Sequence, residues 1–134
     1  MQDQPTPVEL INAVAEFLRT DVAPQLSGHA AFKLRVGLNA LDLVARQITH
    51  EAGGNAAETE RLSKLIGASG SLEDLNRLLS ARIASGEMDF QTPGLAEHVW
   101  QTTMDKLAID QPSYASYRRE RETGSKVKVK SNMD

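Results

Sequence analysis

The sequence predicts an all-α protein, a single-domain bundle of about five helices with a long central second helix. Its 134 residues are rich in alanine and leucine, and only 4% of them are aromatic, a composition that favours helices over sheets. Apolar residues recur three and four positions apart, whereas no alternating apolar segment of useful length appears before residue 126. A chain of this length buries about two-thirds of its surface on folding, which is enough for one core. We therefore expect a helical bundle domain at residues 1–117 and a basic, flexible and disordered C-terminal tail at residues 118–134.

The first predicted helix has a strong start signal. Thr6 can cap the helix, Pro7 suits the first helical position and Glu9 completes a capping box. The helix is expected to continue to about Asp21, before Pro24 interrupts the pattern. Its apolar residues at near-helical spacing are Val8, Leu10, Ile11, Val14, Ala15, Phe17 and Leu18.

The second predicted helix runs from about His29 to Thr49 and is apolar over most of its circumference. A helix with apolar residues on nearly all sides is typical of a buried, central position. We therefore expect this helix to lie inside the bundle. Its apolar residues are Phe32, Leu34, Val36, Leu38, Leu41, Leu43, Val44 and Ile48.

Two shorter helices are expected next. Adjacent glycines predict a loop at residues 51–55, followed by a third helix at residues 56–66 that Gly67 ends. Ser71 predicts the cap of a fourth helix, which Gly86 closes.

The last predicted helix begins at Thr92 and Pro93, which repeat the combination of a capping residue and a proline. It is expected to end at about Asp110. In the linker before it, Phe90 is expected to dock on the core.

Charge is distributed unevenly along the chain. Residues 1–117 carry 9 Lys and Arg against 15 Asp and Glu, a net charge of −6, whereas residues 118–134 carry 6 against 3, a net charge of +3. An acidic body argues against a nucleic-acid surface. The chain has no cysteine, no signal-peptide pattern and no apolar run near the roughly 20 residues that a membrane span needs. We expect a cytoplasmic protein with neither nucleic acid nor membrane as a partner.

A narrow polar stripe interrupts the apolar second helix. At about 100° per residue, Arg35, Asn39, Asp42 and Arg46 fall within about 60° of one another. One interpretation is a docking surface, because arginine binds carboxylates and phosphates with a fork of N–H groups. The other is that the stripe has no partner: it is a polar seam satisfied within the helix, with Asp42 paired to Arg46 and Arg35 to Asn39, or simply the solvent-exposed face of the helix. His29 also has two interpretations: it caps the connection from the first helix, or it is part of a binding site.

No catalytic or metal-binding motif is recognisable in the sequence. The segment Gly67–Ser71 lacks the Lys-Ser/Thr ending of a phosphate-binding loop, so a helix stop followed by a cap explains it. His98 has no histidine partner at metal-ligand spacing and is expected to be an ordinary exposed or half-buried helix residue. We therefore predict no catalytic residue, no metal site and no bound cofactor for this chain.

Several segments, in their joint order and spacing, resemble a known family over residues 4–118. It is a family of small bacterial helical proteins labelled a domain of unknown function, similar to proteins encoded beside aminoglycoside-phosphotransferase-like kinases and acyl-CoA dehydrogenases. A relative is the small accessory subunit of the hydroxyacyl-CoA kinase of levulinate catabolism. The segments are Pro5-Thr6-Pro7-Val8-Glu9-Leu10-Ile11, Ser27-Gly28-His29-Ala30-Ala31-Phe32, Arg35-Val36, Asn39-Ala40-Leu41, Val44-Ala45-Arg46 and Asp110-Gln111-Pro112-Ser113-Tyr114.

The resemblance implies a non-catalytic accessory subunit. Such a chain would bind an aminoglycoside-phosphotransferase-like kinase acting on 4-hydroxyacyl-CoA in short-chain acid catabolism, and would stabilise it or complete its acyl-CoA site. ATP, magnesium and the acyl-CoA would all be held by the kinase. The interaction candidates carried over by matching are His29, Arg35, Asn39 and Arg46, and Asp42 joins them through the stripe.

Two alternatives stay open beside the accessory subunit. The first is a stand-alone small-molecule module or an enzyme that binds a carboxylate or an acyl-CoA in the region of His29, Arg35 and Asn39. The second, nucleic-acid binding through the basic tail, is weak because the body is acidic. The sequence is also compatible with a homo-oligomer.

Overall fold

The computed structural model describes residues 4–131, with side chains as far as Thr123. The described residues contain five α-helices and no strand, which confirms the all-α prediction. The helices are α1 (Pro7–Phe17), α2 (Gly28–Ile66), α3 (Leu72–Ala84), α4 (Leu95–Asp110) and α5 (Ala115–Ser131). The chain divides into two compact units, residues 1–52 and residues 53–134. The predicted domain boundary at residue 117 stays a prediction.

Unit 1 is a helical hairpin made of α1 and the first part of α2. The predicted capping box is confirmed: the Thr6 backbone N–H donates to Glu9 Oε2 at 2.7 Å and the Glu9 N–H donates to Thr6 Oγ1 at 3.3 Å. After α1 the chain continues through one π-helical turn and one 3₁₀ turn as far as Gln25. The buried apolar residues of unit 1 are Ala15 of α1 and Leu38 and Ala45 of α2.

The predicted loop at residues 51–55 is wrong, because α2 is a continuous helix of 39 residues. A helical glycine costs about 1 kcal/mol relative to alanine, which weakens a helix without requiring a break. Helix-forming residues, including Ala52 and Ala56, flank the Gly53–Gly54 pair. The two compact units nevertheless divide at Gly53, so the glycine pair lies at the boundary between the units although the helix continues through it.

Unit 2 is built around an apolar core that α2, α3 and α4 share. The predicted stop at Gly67 and cap at Ser71 are confirmed, with Gly67 at φ 71° and the Asp74 N–H donating to Ser71 Oγ at 3.1 Å. The Arg82 Nη1 group donates to the backbone oxygen of Ile66 at 2.9 Å and so satisfies the end of α2. The core residues are Leu62, Ile66, Leu75, Leu79, Met88 and Leu95.

Two predictions about the segment before α4 are wrong. Phe90 is 89% exposed, whereas Met88, two residues earlier, is buried in the core. The helix begins at Leu95 after Gly94, which has φ 85°. Thr92 does not cap α4, and its hydroxyl accepts from the Asp89 N–H at 3.0 Å.

The segment predicted as a tail has helical backbone as far as Ser131 in α5. Tyr117 in its first turns is buried. The predicted flexibility of residues 118–134 stays a prediction, and residues 132–134 lie outside the described part of the chain.

Candidate functional site

An exposed aromatic–cation cluster occupies the first turns of α2. We use this name for His29, Phe32 and Arg35, which lie three residues apart on one side of the helix. The His29 and Phe32 rings are stacked with centroids 6.4 Å apart and an interplanar angle of 13°. The Arg35 Cζ atom lies 5.7 Å from the Phe32 ring centroid. Phe32 is 52% exposed, so the cluster forms part of the protein surface.

The cluster can bind an anionic or aromatic group of a partner. A guanidinium held over a ring face keeps its N–H donors available, because the contact involves the π-electrons and not a hydrogen bond. The aromatic contact restricts the Arg35 side chain and so lowers the entropy lost on binding. The arrangement therefore combines an apolar anchor with a positioned cation.

Asp42 of the predicted stripe is held by a cation that lies outside the stripe. The Arg19 Nη2 group donates to both carboxylate oxygens of Asp42, at 3.2 Å and 3.1 Å. Arg19 lies in the π-helical turn after α1, so the ion pair links that turn to α2. Asp42 therefore has a structural role in unit 1.

Arg46 lies beside an open depression of about 290 Å³ on the same side of the hairpin. Asn39 is exposed between this depression and the aromatic–cation cluster. The structure thus brings His29 and Arg35 together around Phe32 and places Asp42 and Arg46 in a separate group. The residues that line the depression are Val8, Asn12, Asp42, Ala45, Arg46, Thr49 and His50.

The prediction that the second helix is buried on nearly all sides is wrong for its N-terminal half. Leu38 and Ala45 are buried, but the opposite side of the helix is at the surface. We call Phe32, Val36 and Leu43, which are 52%, 51% and 37% exposed, the outer face of α2. This face lies directly beside the aromatic–cation cluster and shares Phe32 with it.

A second group of exposed apolar residues follows one edge of the hairpin. We call it the apolar edge, and each of its side chains is exposed by between 44% and 55%. Its members are Leu10, Val14 and Phe17 of α1 and Val44 and Ile48 of α2. The signal in the sequence was that Leu10, Val14 and Phe17 form a second helical stripe beside the buried one.

A larger depression, of about 440 Å³, lies at the start of α4 in unit 2. His98 lines it and is only 5% exposed, so the expectation of an ordinary exposed or half-buried residue is wrong. Among the described residues, three buried side-chain atoms in this region have no hydrogen-bond partner: His98 Nδ1, Arg61 Nε and Thr102 Oγ1. Arg61 also donates from Nη2 to Asp105 Oδ2 at 3.1 Å.

The environment of His98 favours a neutral imidazole. Burial is the main cause that lowers the pKa of His98 below its ordinary value of 6.5. The nearby Arg61 guanidinium lowers the pKa further, and the Glu58 carboxylate opposes both effects. The folded protein therefore resists protonation of this side chain.

A comparison with protein families finds a match over residues 24–114 to a domain of unknown function, DUF6285. The match covers more than half of the chain. The chain belongs to this family. No curated protein and no solved structure matches it.

The DUF6285 segment contains all of α2, α3 and α4, and with them the aromatic–cation cluster and the outer face of α2. Helix α1, and with it three of the five residues of the apolar edge, precedes the matched segment. Within residues 4–131 of this DUF6285 protein, no group of three or more His, Cys, Asp or Glu side chains could hold a metal ion. None of the helices in that range combines the length and apolar character that crossing a membrane requires.

Proposed function

We propose that this chain is a non-catalytic accessory subunit that binds an aminoglycoside-phosphotransferase-like kinase acting on 4-hydroxyacyl-CoA, and that it stabilises the kinase or completes its acyl-CoA site. The observation that carries the proposal is the exposure of large apolar side chains on the outer face of α2 beside the aromatic–cation cluster. Large exposed apolar side chains grouped on one side of a helix are typical of interaction sites, since water solvates apolar surface poorly.

The composition of this surface supports a protein partner. Aromatic residues and arginine are enriched at protein interfaces, and Phe32 and Arg35 offer one of each. Burying the exposed half of a Phe, Val or Leu side chain contributes about 1 kcal/mol. His29 and Asn39 would lie at the polar rim, where hydrogen bonds set orientation.

The kinase as partner is supported by the family resemblance and by the position of the surface. Residues 24–114 match the family, and this range includes Phe32, Arg35, Val36 and Leu43. A partner shared by family members would contact the shared domain. The α2 surface meets that requirement.

Co-expression with a candidate kinase and size-exclusion chromatography tests the proposal. We expect one co-eluting complex, and kinase activity towards 4-hydroxyacyl-CoA that falls when this chain is omitted. The variant F32A/R35A should lose co-elution. A matched control is F90A/R77A, which removes the same two residue types from exposed positions of unit 2.

Separate elution of the wild-type proteins, together with kinase activity that does not depend on this chain, would count against the proposal. The stand-alone binding module makes a different prediction, which is thermal stabilisation of the purified chain by acyl-CoAs or hydroxy acids. Of the five predicted site residues, only Asp42 and Arg46 line the depression of unit 1, and neither His29, Arg35 nor Asn39 does.

A further inference from the structure

The depression at the start of α4 lies in unit 2, whereas the proposed kinase surface belongs to unit 1. All the residues that line it fall between Arg61 and Gln101, so it is formed within unit 2 alone. Its volume of about 440 Å³ is within the range of small-molecule sites. Polar groups without a partner converge on this depression, and they indicate the kind of ligand that it binds.

His98 is the buried polar side chain of this depression. It is only 5% exposed, and its Nδ1 atom has no hydrogen-bond partner among the residues that the structure describes. Buried polar groups in folded proteins nearly always have a partner, because leaving one unsatisfied costs the free energy of its lost hydration. His98 lines the depression, so a ligand bound there can use this unsatisfied imidazole.

The start of α4 supplies backbone N–H groups without acceptors. The helix has 16 residues, and its N-cap is Gly94, so no side chain caps its first turn. The Leu95 N–H donates to the Thr92 backbone oxygen at 3.2 Å, whereas the N–H groups of Ala96 and Glu97 have no acceptor within the described part of the chain. Free N–H groups at a helix start bind anions, because these donors and the helix dipole both favour negative charge. Gly94 and Glu97 also line the depression.

Arg61 adds a cation that is held in position. Its Nη2 group donates to one oxygen of Asp105 at 3.1 Å, and Gln101 Nε2 donates to the other oxygen at 2.8 Å. Asp105 thus fixes two side chains that line the depression. Arg61 Nε is buried without a partner, so the guanidinium has a donor left for a further acceptor. Arg61 also acts on His98 more strongly than the Glu58 carboxylate does, so the combined effect of these two charges is positive.

We propose that this depression binds a small organic carboxylate. The carboxylate accepts hydrogen bonds from Arg61, from the free N–H groups at the start of α4 and from the ring N–H of a neutral His98. Leu65 and Pro93 form the apolar part of the lining, and they contact a short carbon chain. The site goes beyond the proposed function, because it gives this chain a ligand of its own that does not depend on the kinase.

The charges around the depression favour a ligand with a single negative charge. Two cations, Arg61 and Lys64, and one carboxylate, Glu97, line it, which gives the lining a net charge of +1. Asp105 and Glu60 pair with the two cations at 3.1 Å and 2.6 Å and partly balance them. A phosphate group carries about −1.5 to −2 near neutral pH, so these three carboxylates would repel it more strongly than they repel a carboxylate.

An NMR titration of the full chain with sodium butyrate tests the proposal. His29 and His50 lie in unit 1, so their imidazole signals are internal controls for that of His98. We expect a saturable shift of the His98 signal with a Kd of about 1 mM, as befits a ligand of few atoms. Butyramide and butylammonium have the same carbon chain without the negative charge, and they should give no saturable shift.

Three outcomes of this titration would overturn the proposal. The first is no saturable shift of His98 with butyrate, which would leave water as the partner of the buried polar atoms. The second is tighter binding of inorganic phosphate than of butyrate. The third is binding of butyramide or butylammonium as tight as that of butyrate.

The variant R61Q should raise the Kd for butyrate at least about tenfold, because it removes the positioned cation. R77Q is the matched control, since Arg77 is also paired with a carboxylate in unit 2 but does not line the depression. If R61Q fails to fold, Q101W decides the question, because it fills the mouth of the depression without changing a charge. A wild-type Kd in R61Q or in Q101W would contradict the proposed site.

Glu97 provides a test of the sign of the ligand charge. Its carboxylate repels a bound anion, whereas its backbone N–H is retained in E97Q. We therefore expect E97Q to bind butyrate about three- to tenfold more tightly than wild type. Weaker binding in E97Q would show that the depression favours a cation, and unchanged binding would place the ligand away from the start of α4.

Discussion

Arg19 binds Asp42 through both carboxylate oxygens, with Nη2–O distances of 3.2 Å and 3.1 Å. This ion pair connects the segment after α1 to the middle of α2 across 23 residues of sequence. Because Asp42 is engaged in this ion pair, we assign it a role in holding the hairpin together and do not count it in the proposed partner surface. Arg35, two turns earlier on α2, is left at the surface over the Phe32 ring.

The Arg19–Asp42 pair should contribute modestly to stability. Both side chains are more than a third exposed, at 45% and 38%, so solvent screens their attraction. A double-mutant cycle of R19A and D42A in urea denaturation should give a coupling energy of about 0.5–1 kcal/mol. The more exposed pair of Arg77 and Glu73 is the control and should give a smaller value. A coupling of zero for Arg19 and Asp42 would show that the pair does not stabilise the hairpin.

Replacing the two glycines in the middle of α2 should stabilise the protein. Neither Gly53 nor Gly54 has an atom within 4 Å of the position that a Cβ would take, so alanine fits at both. The variant G53A/G54A should raise the free energy of unfolding by about 1–2 kcal/mol through helix propensity, as measured by denaturation.

Gly94 provides the opposite case for comparison. Its φ of 85° is unfavourable for a side chain, and a Cβ would lie 3.5 Å from Leu65 Cδ1. G94A should therefore lower the free energy of unfolding by about 1 kcal/mol. Stabilisation by G94A, or destabilisation by G53A/G54A, would contradict the backbone conformations described above.

The buried His98 should make stability depend on pH. Because its pKa is lower in the folded protein than the ordinary 6.5, the unfolded chain takes up a proton below about pH 6.5 while the folded chain still resists it. The free energy of unfolding should therefore fall as pH drops through the window below 6.5. Denaturation between pH 8 and pH 5 should show a steeper fall for wild type than for H98Q. H50Q, at an exposed position, controls for the loss of an imidazole. If the free energy of unfolding falls equally with pH in wild type and in H98Q, His98 is not the cause of the pH dependence.

Local signals in the sequence predicted the helix ends well. Thr6 and Ser71 cap α1 and α3 with their side chains, and Gly67 ends α2 through a positive φ. Each effect depends only on residues within a few positions. The glycine pair at residues 53–54 was misleading, since tolerance of a glycine depends on the whole helix. At α4 the Thr92 hydroxyl had a competing local acceptor role, which spacing alone does not reveal.

Exposure was harder to predict than secondary structure. Apolar residues lie on several sides of the helix at residues 29–49, which predicts that several of its faces are buried. Periodicity does not show whether they are buried by the same chain or by a partner. Phe32 and Val44 are consequently exposed where burial was expected. His98 shows the reverse error, because its burial depends on residues distant in sequence, among them Arg61. The aromatic–cation cluster was partly visible in the sequence, whereas the role of Phe32 in joining His29 to Arg35 required the structure.

The most direct test of the accessory-subunit proposal is the affinity of the purified chain for the kinase, measured by calorimetry. We expect a defined stoichiometric complex whose Kd rises at least about thirtyfold, equivalent to about 2 kcal/mol, in F32A/R35A. F90A/R77A should bind as wild type does. An unchanged Kd in F32A/R35A, or no heat of binding with the wild-type chain, would contradict the claim that the outer face of α2 is where this protein meets its partner.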